Sequence, residues 1–193
     1  MAPPAHGGMR VSTPQGDEVL GGPWQICFVV SDVEEALETW VHRYGVGPWS
    51  IWNLGAHNMT DLAVDERPAD YGMRIAIAAW GPVEIEVIEP LDEASIYAQS
   101  LRDHQGRAHV HHLHCTAPDY DASLALFRAR RQCALMSGGF RGARFSYLPT
   151  EDDLGTILEI GHHPEAFEFP APDAVFPADA GSDASDPATT TLR

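Results

Sequence analysis

Two stretches of this chain repeat one another. "WQICFVVSDVEEAL", from Trp24, and "HHLHCTAPDYDASL", from His111, both begin as strands and then reach an aspartate, Asp32 or Asp119, where a helix N-cap is expected. Asp32 and Glu35 have the spacing of a capping box. Val33, Leu37, Trp40 and Tyr44 then fall on one helical face, and Gly45 ends the helix. Tyr120, Leu124 and Phe127 play the same part in the second half. Each half closes on a matching strand, "VEIEVIEP" after Gly81-Pro82 and "GTILEIGHHP" after the turn-like "EDDLG". Between helix and last strand each half has room for two more strands, 49–53 and 73–80 in the first, 134–140 and 143–148 in the second. Each half therefore reads βαβββ. The expected fold is α+β, with two such modules joined into one curved mixed sheet and helices on its outer face.

The expected organisation is a flexible tail over 1–20, a first module over 21–90, a linker over 91–108, a second module over 109–164 and a flexible acidic tail over 165–193. The ends are rich in Pro, Gly, Ala and Asp and poor in large apolar groups, so they bury too little surface to offset the entropy of ordering. The formal charge of −16 excludes a nucleic-acid binder and an anionic-membrane binder, both of which need clustered Lys and Arg. No apolar leader and no bilayer-length apolar run is present. Cys27, Cys115 and Cys133 make no even framework and read as reduced thiols of a cytoplasmic protein.

The repeat also aligns chemistry. Gln25 lies seven residues before Asp32, and His112 seven before Asp119. Gln25 to Glu86 is 61 residues and His112 to Glu159 is 47; the difference of 14 fits a longer, aperiodic loop in the first half, "LGAHNMTDLAVDERPADYG". Strand alternation sends Ile26, Phe28, Ile85, Val87, Leu113, Cys115, Leu158 and Ile160 towards the helices. It leaves Gln25, Glu86, His112 and Glu159 at equivalent positions on the opposite face. Two carboxylates, an imidazole and an amide carbonyl form a donor set for one divalent metal, with positions left for water or substrate. Of the histidines in "RAHVHHLHC", His112 is the ligand expected. His114 shares its face, His111 is expected towards the helices or the strand margin, and His109 in solvent. Glu84 is expected on the pocket side and Glu89 in solvent. Trp49, Trp52 and Trp80 point to a partly aromatic pocket.

The segments "QICFVVSDVEEAL", "VEIEVIEP", "HHLHCTAPDYDASL" and "GTILEIG" resemble the strand motifs of the vicinal oxygen chelate superfamily, which includes glyoxalase I, methylmalonyl-CoA epimerase, extradiol dioxygenases and bleomycin-resistance proteins. The resemblance covers about residues 23–163. It implies a metal (Zn, Mn, Co or Ni) on Gln25, Glu86, His112 and Glu159, with Glu159 and then Glu86 as the base. The implied activity is isomerase, epimerase or lyase chemistry by proton transfer next to a metal-bound oxygen. The tryptophans favour a bulky apolar or ring-bearing small molecule as substrate. A homodimer is allowed. The alternative is a non-catalytic ligand-binding protein of the bleomycin-resistance kind. Gln25 in place of histidine disfavours an extradiol iron site, and no basic cluster matches the carboxylates of glutathione.

Overall fold

The computed structural model describes residues 20–178 except 166. Its strands are β1 (Pro23–Val29), β2 (Trp49–Leu54), β3 (Thr60–Val64), β4 (Arg67–Pro68), β5 (Met73–Trp80), β6 (Val83–Pro90), β7 (His109–Thr116), β8 (Met136–Phe140), β9 (Ala143–Leu148), β10 (Ile157–His162) and β11 (Ala174–Phe176). Its helices are α1 (Val33–Tyr44), α2 (Ile96–Asp103), α3 (Tyr120–Ala129) and α4 (Glu151–Leu154). None of the described helices is long and apolar enough to cross a membrane.

All strands join one sheet in the order β11-β2-β5-β6-β1-β7-β10-β9-β8-β3-β4. The two halves appear in it as β2-β5-β6-β1 and β7-β10-β9-β8, with β1 antiparallel to β7 at the join. Within each half the first and last strands are parallel neighbours, β1 with β6 and β7 with β10.

Chain connectivity requires this sheet to curl. β2 and β3 are separated only by residues 55–59, yet eight inter-strand steps lie between them in the sheet. Flat, those steps would span about 38 Å; the connecting chain reaches about 22 Å at most. The curl creates a cleft on one face, while α1 and α3 cover the other.

The helix face carries two apolar clusters. Under α1, Val33 and Leu37 pack on Trp49, Ile85 and Val87. Under α3, Tyr120 and Phe127 pack on Leu148 and Ile160. Both helices start as the sequence implies: Asp32 accepts from the Glu35 N–H and Asp119 from the Ala122 N–H, each at 2.9 Å. Gly45 closes α1 at φ 68°, a left-handed conformation natural to glycine. Tyr44 departs from expectation, being 65% exposed at the last turn of α1. Glu89 accepts from the Val33 N–H at 3.1 Å, so it serves the start of α1 instead of facing solvent.

Three segments read as irregular carry structure. The long first-half loop contains β3 and β4, and β3 extends the sheet beyond β8. The linker over 91–108 contains α2, started by Ser95 and buried through Tyr97 in the cleft-side core. The "EDDLG" turn is the short helix α4. Part of the expected C-terminal tail also packs: β11 pairs antiparallel with β2, Ala174 opposite Ile51 and Phe176 opposite Trp49. Residues 1–19 and 179–193, the rest of the expected tails, lie outside the described residues.

Candidate active site

Four central strands, β6, β1, β7 and β10, supply the floor of the cleft. Register places Glu86, Cys27, His112 and Ile157 side by side in one row, and Glu84, Gln25, His114 and Glu159 in the next. The expected donors therefore alternate diagonally across two rows, all on the cleft face.

His112 is the centre of this group and has no exposed surface. Its Nε2 lies 2.9 Å from Glu159 Oε2 and 3.5 Å from Glu86 Oε2. His114 Nδ1 lies 3.5 Å from the same Glu159 oxygen. Despite these distances, His112 Nε2 completes no aligned hydrogen bond. Burial disfavours protonation of His112, but the close approach and negative charge of Glu159, then Glu86, outweigh it and push its pKa up to about 9. Burial raises the Glu159 carboxyl, yet His114, His112 and His163 hold it below the usual range.

Gln25 occupies the same wall and the same cavity. Its Nε2 donates to Glu84 Oε1 at 2.7 Å. Only the amide NH₂ can donate to a carboxylate, so this contact leaves Gln25 Oε1 as the atom free to act as a ligand. Glu84 is on the pocket side, as expected, and its pKa is raised, chiefly by burial. The structure thus brings Glu86 and Glu159 each to His112 and sets Gln25 on the same wall, tied to Glu84.

Two neighbours of His112 were not assigned to the site from sequence, although alternation already puts Cys27 on the donor face. Cys27 stands between Glu86 and His112, and the ligand atoms of these three lie within 4.8 Å of one another. Burial, followed by Glu86 and Glu159, pushes the Cys27 thiol up, and its Sγ faces the Phe28 carbonyl at 3.6 Å. A neutral thiol is a poorer donor than the carboxylates around it. The second neighbour is His111. The β1–β7 register passes from Cys27↔His112 to Phe28↔Val110, so a bulge falls at His111. It turns His111 into the interior, against the Tyr97 ring at 5.3 Å, instead of towards the helices. His111 Nδ1 faces His112 Nδ1 at 2.9 Å. Burial, then His112, drive the His111 pKa down to about 2.

The remaining histidines sort by position. His114 lines the cavity with Trp24 at 4.6 Å, and His163 lines it from beyond β10. His109 is not free in solvent: it contacts Ser100 Oγ at 2.7 Å and stacks on His104 at 3.6 Å. The cavity above the donors measures about 90 Å³ and is mainly apolar, with Tyr97, Phe140, Phe145, Tyr147, Phe167 and Phe169 among its walls. Trp49 belongs instead to the core under α1, Trp80 is exposed, and Trp52 packs behind Phe169.

The donor chemistry fits a divalent cation. Metal–nitrogen and metal–oxygen bonds of about 2.0–2.2 Å place adjacent ligand atoms about 2.9–3.5 Å apart. His112 Nε2 stands at those separations from two carboxylate oxygens, unaligned for hydrogen bonding to either.

Residues 24–147 match the model of the Glyoxalase/Bleomycin resistance protein/Dioxygenase superfamily. The chain belongs to that superfamily. The match ends at Tyr147, before β10, so Glu159 joins the site through the fold. Methylmalonyl-CoA epimerase from Mycobacterium tuberculosis is similar in fold, with TM-score 0.52, 19% identity, and coverage of 77% of this chain and 93% of that one. The Streptomyces coelicolor methylmalonyl-CoA epimerase with bound 2-nitronate-propionyl-CoA has TM-score 0.52, 22% identity, and coverage of 78% and 99%. A hypothetical protein from Bacillus halodurans has TM-score 0.55, 19% identity, and coverage of 77% and 98%. No curated protein matches. At these identities the superfamily members share the fold, and the chemistry of this chain must be argued from its own residues.

Proposed function

We propose that the protein is a metal-dependent isomerase, epimerase or lyase that moves a proton next to a substrate oxygen. The observation that carries this reading is the buried His112 Nε2, 2.9 and 3.5 Å from two carboxylates and aligned with neither. Glu86, His112 and Glu159 would hold one divalent ion, with Gln25 Oε1 as the fourth donor. The ion supplies Lewis-acid stabilisation of negative charge on the substrate oxygen, which acidifies the adjacent C–H.

The chain's own residues supply the rest. Glu159, on β10, is the first candidate for the base and Glu86 the second. His114, 3.5 Å from Glu159, is placed to share its proton. Glu84 fixes the Gln25 amide, and the mainly apolar walls lower the local dielectric, which strengthens the charge interactions inside.

The test follows hydrogen exchange in D₂O at the carbon next to the carbonyl of uncharged α-hydroxy ketones, read by NMR. Wild-type protein loaded with Zn, Mn, Co or Ni should catalyse exchange. Glu159→Gln, with metal retained, should slow it by about 10²–10⁴-fold. Exchange at the wild-type rate in that variant would remove Glu159 as the base and shift the role to Glu86.

A further inference from the structure

After β10 the chain crosses the cleft to pair, as edge strand β11, with β2. Phe167 and Phe169 lie on this crossing and point into the cavity. Their rings are 5.2 Å apart; Phe169 packs on Trp52 at 4.9 Å and Phe140 at 6.0 Å. The crossing is fastened to β2. Trp52 Nε1 donates to the Pro170 carbonyl at 3.0 Å. The Asp173 carboxylate accepts from the Asn53 backbone N–H at 2.8 Å and from Asn53 Nδ2 at 3.1 Å, and β11 completes the attachment.

The cavity is partly open to solvent and measures about 90 Å³. Organic ligand sites occupy about 300–1,000 Å³. One wall must therefore move before a substrate enters. The floor is continuous hydrogen-bonded strand with the fully buried Tyr97 of α2 packed beside it, whereas the crossing is attached only by a three-residue strand at the sheet edge and the Pro170 and Asp173 hydrogen bonds. It is the wall with least to break.

Charge narrows the occupant. Glu84, Glu86 and Glu159 line the cavity. Among the described residues Arg144 is the sole Arg or Lys of the lining, and Asp121 already holds it through two contacts at 2.9 and 3.0 Å, with its guanidinium 4.6 Å from the Tyr120 ring centre. Among the described residues no unpaired Arg or Lys faces the space, and the two imidazoles that do, His114 and His163, already face Glu159.

We propose that Phe167 and Phe169 are specificity-determining residues, which move out with the 167–176 crossing to admit an uncharged aromatic ligand and then pack against its ring. This rests on the cavity being the ligand site of the function proposed above, and not on the metal. The deciding experiment therefore uses the full-length protein stripped with chelator, so that absence of a metal site would leave its result unchanged.

Three probes are titrated by ligand-observed NMR: 2-hydroxyacetophenone, uncharged with one ring; mandelate, with the same ring and a carboxylate; and benzoin, uncharged with two rings. Wild-type protein should bind 2-hydroxyacetophenone, and mandelate at least about tenfold more weakly. Phe169→Ala should weaken 2-hydroxyacetophenone by about 3- to 10-fold and favour benzoin relative to wild type, while Phe169→Tyr should keep the wild-type order. Asp173→Ala should speed probe association and raise hydrogen exchange in β11. Preference for mandelate, an unchanged probe ratio in Phe167→Ala and Phe169→Ala, or no binding of the uncharged probes by wild type or variants would overturn the proposal.

Discussion

His111 and His112 are sequence neighbours whose side chains should point to opposite faces of a strand, yet their Nδ1 atoms face each other at 2.9 Å. One proton must sit between them. If His112 uses Nε2 as a ligand, its Nδ1 carries that proton and His111 Nδ1 accepts it. Burial keeps His111 neutral and able to accept, and the Ile96 carbonyl lies beside its ring without forming an aligned hydrogen bond. His111→Leu removes the acceptor and should weaken divalent-metal affinity by about 10–100-fold. His111→Asn, whose Oδ1 takes the place of Nδ1, should recover most of the loss. Calorimetric titration with zinc checks both; equal affinity in wild type and His111→Leu would show that His111 does not orient the ligand.

The same pair sets opposite pH dependences in metal-free protein. His112 has a raised folded pKa, about 9, so its contribution is complete below the unfolded value near 6.5 and disappears as pH rises through 9. His111 has a depressed folded pKa, about 2, so its contribution is complete above about 6.5 and shrinks as pH falls below it. Glu159, also depressed, adds a further loss below about 4.5. Melting temperature in chelator should therefore peak near about pH 6.5. His111→Asn should flatten the acid limb. A thermal scan showing monotonic behaviour from pH 5 to 9 would contradict this assignment of charges.

Gly161, on β10, makes room for His114. A Cβ at this position would lie 2.5 Å from His114 Nε2. Gly161→Ala should displace the imidazole from Glu159 and cost about 1–3 kcal/mol of stability through overpacking. Denaturant unfolding measures the cost, and the His114 ring resonances report the displacement. An unchanged His114 environment would show that the ring does not depend on this gap.

The readable parts of the fold were those governed by local chemistry. Asp32, Asp119 and Gly45 mark helix ends because caps need particular side chains, and alternation placed Gln25, Glu86, His112 and Glu159 on one face. Pairing over long distance was not readable: β3 is a strand because β8 offers it an unpaired edge, and β11 because β2 does. The same holds for Phe167 and Phe169, which sit in a segment whose composition resembles a tail. His111 was misplaced because alternation fails at a bulge, and "HVHHLHC" contains no glycine to announce one. Tyr97 was hidden in an apparent linker although Ser95 is an N-cap. The aromatic pocket was anticipated from the wrong residues, since Trp49 alternates onto the helix side.

The most direct measurement is the metal content of purified, mildly dialysed protein by elemental analysis, alongside His112→Ala with its circular dichroism checked for folding. Because Glu86, His112 and Glu159 form a single buried group, wild-type protein should hold about one divalent ion per chain, and His112→Ala, which lacks the central nitrogen donor, should hold almost none. Wild-type protein that carries no ion and takes up none of Zn, Mn, Co or Ni would contradict the metal site and the proton-transfer chemistry built on it.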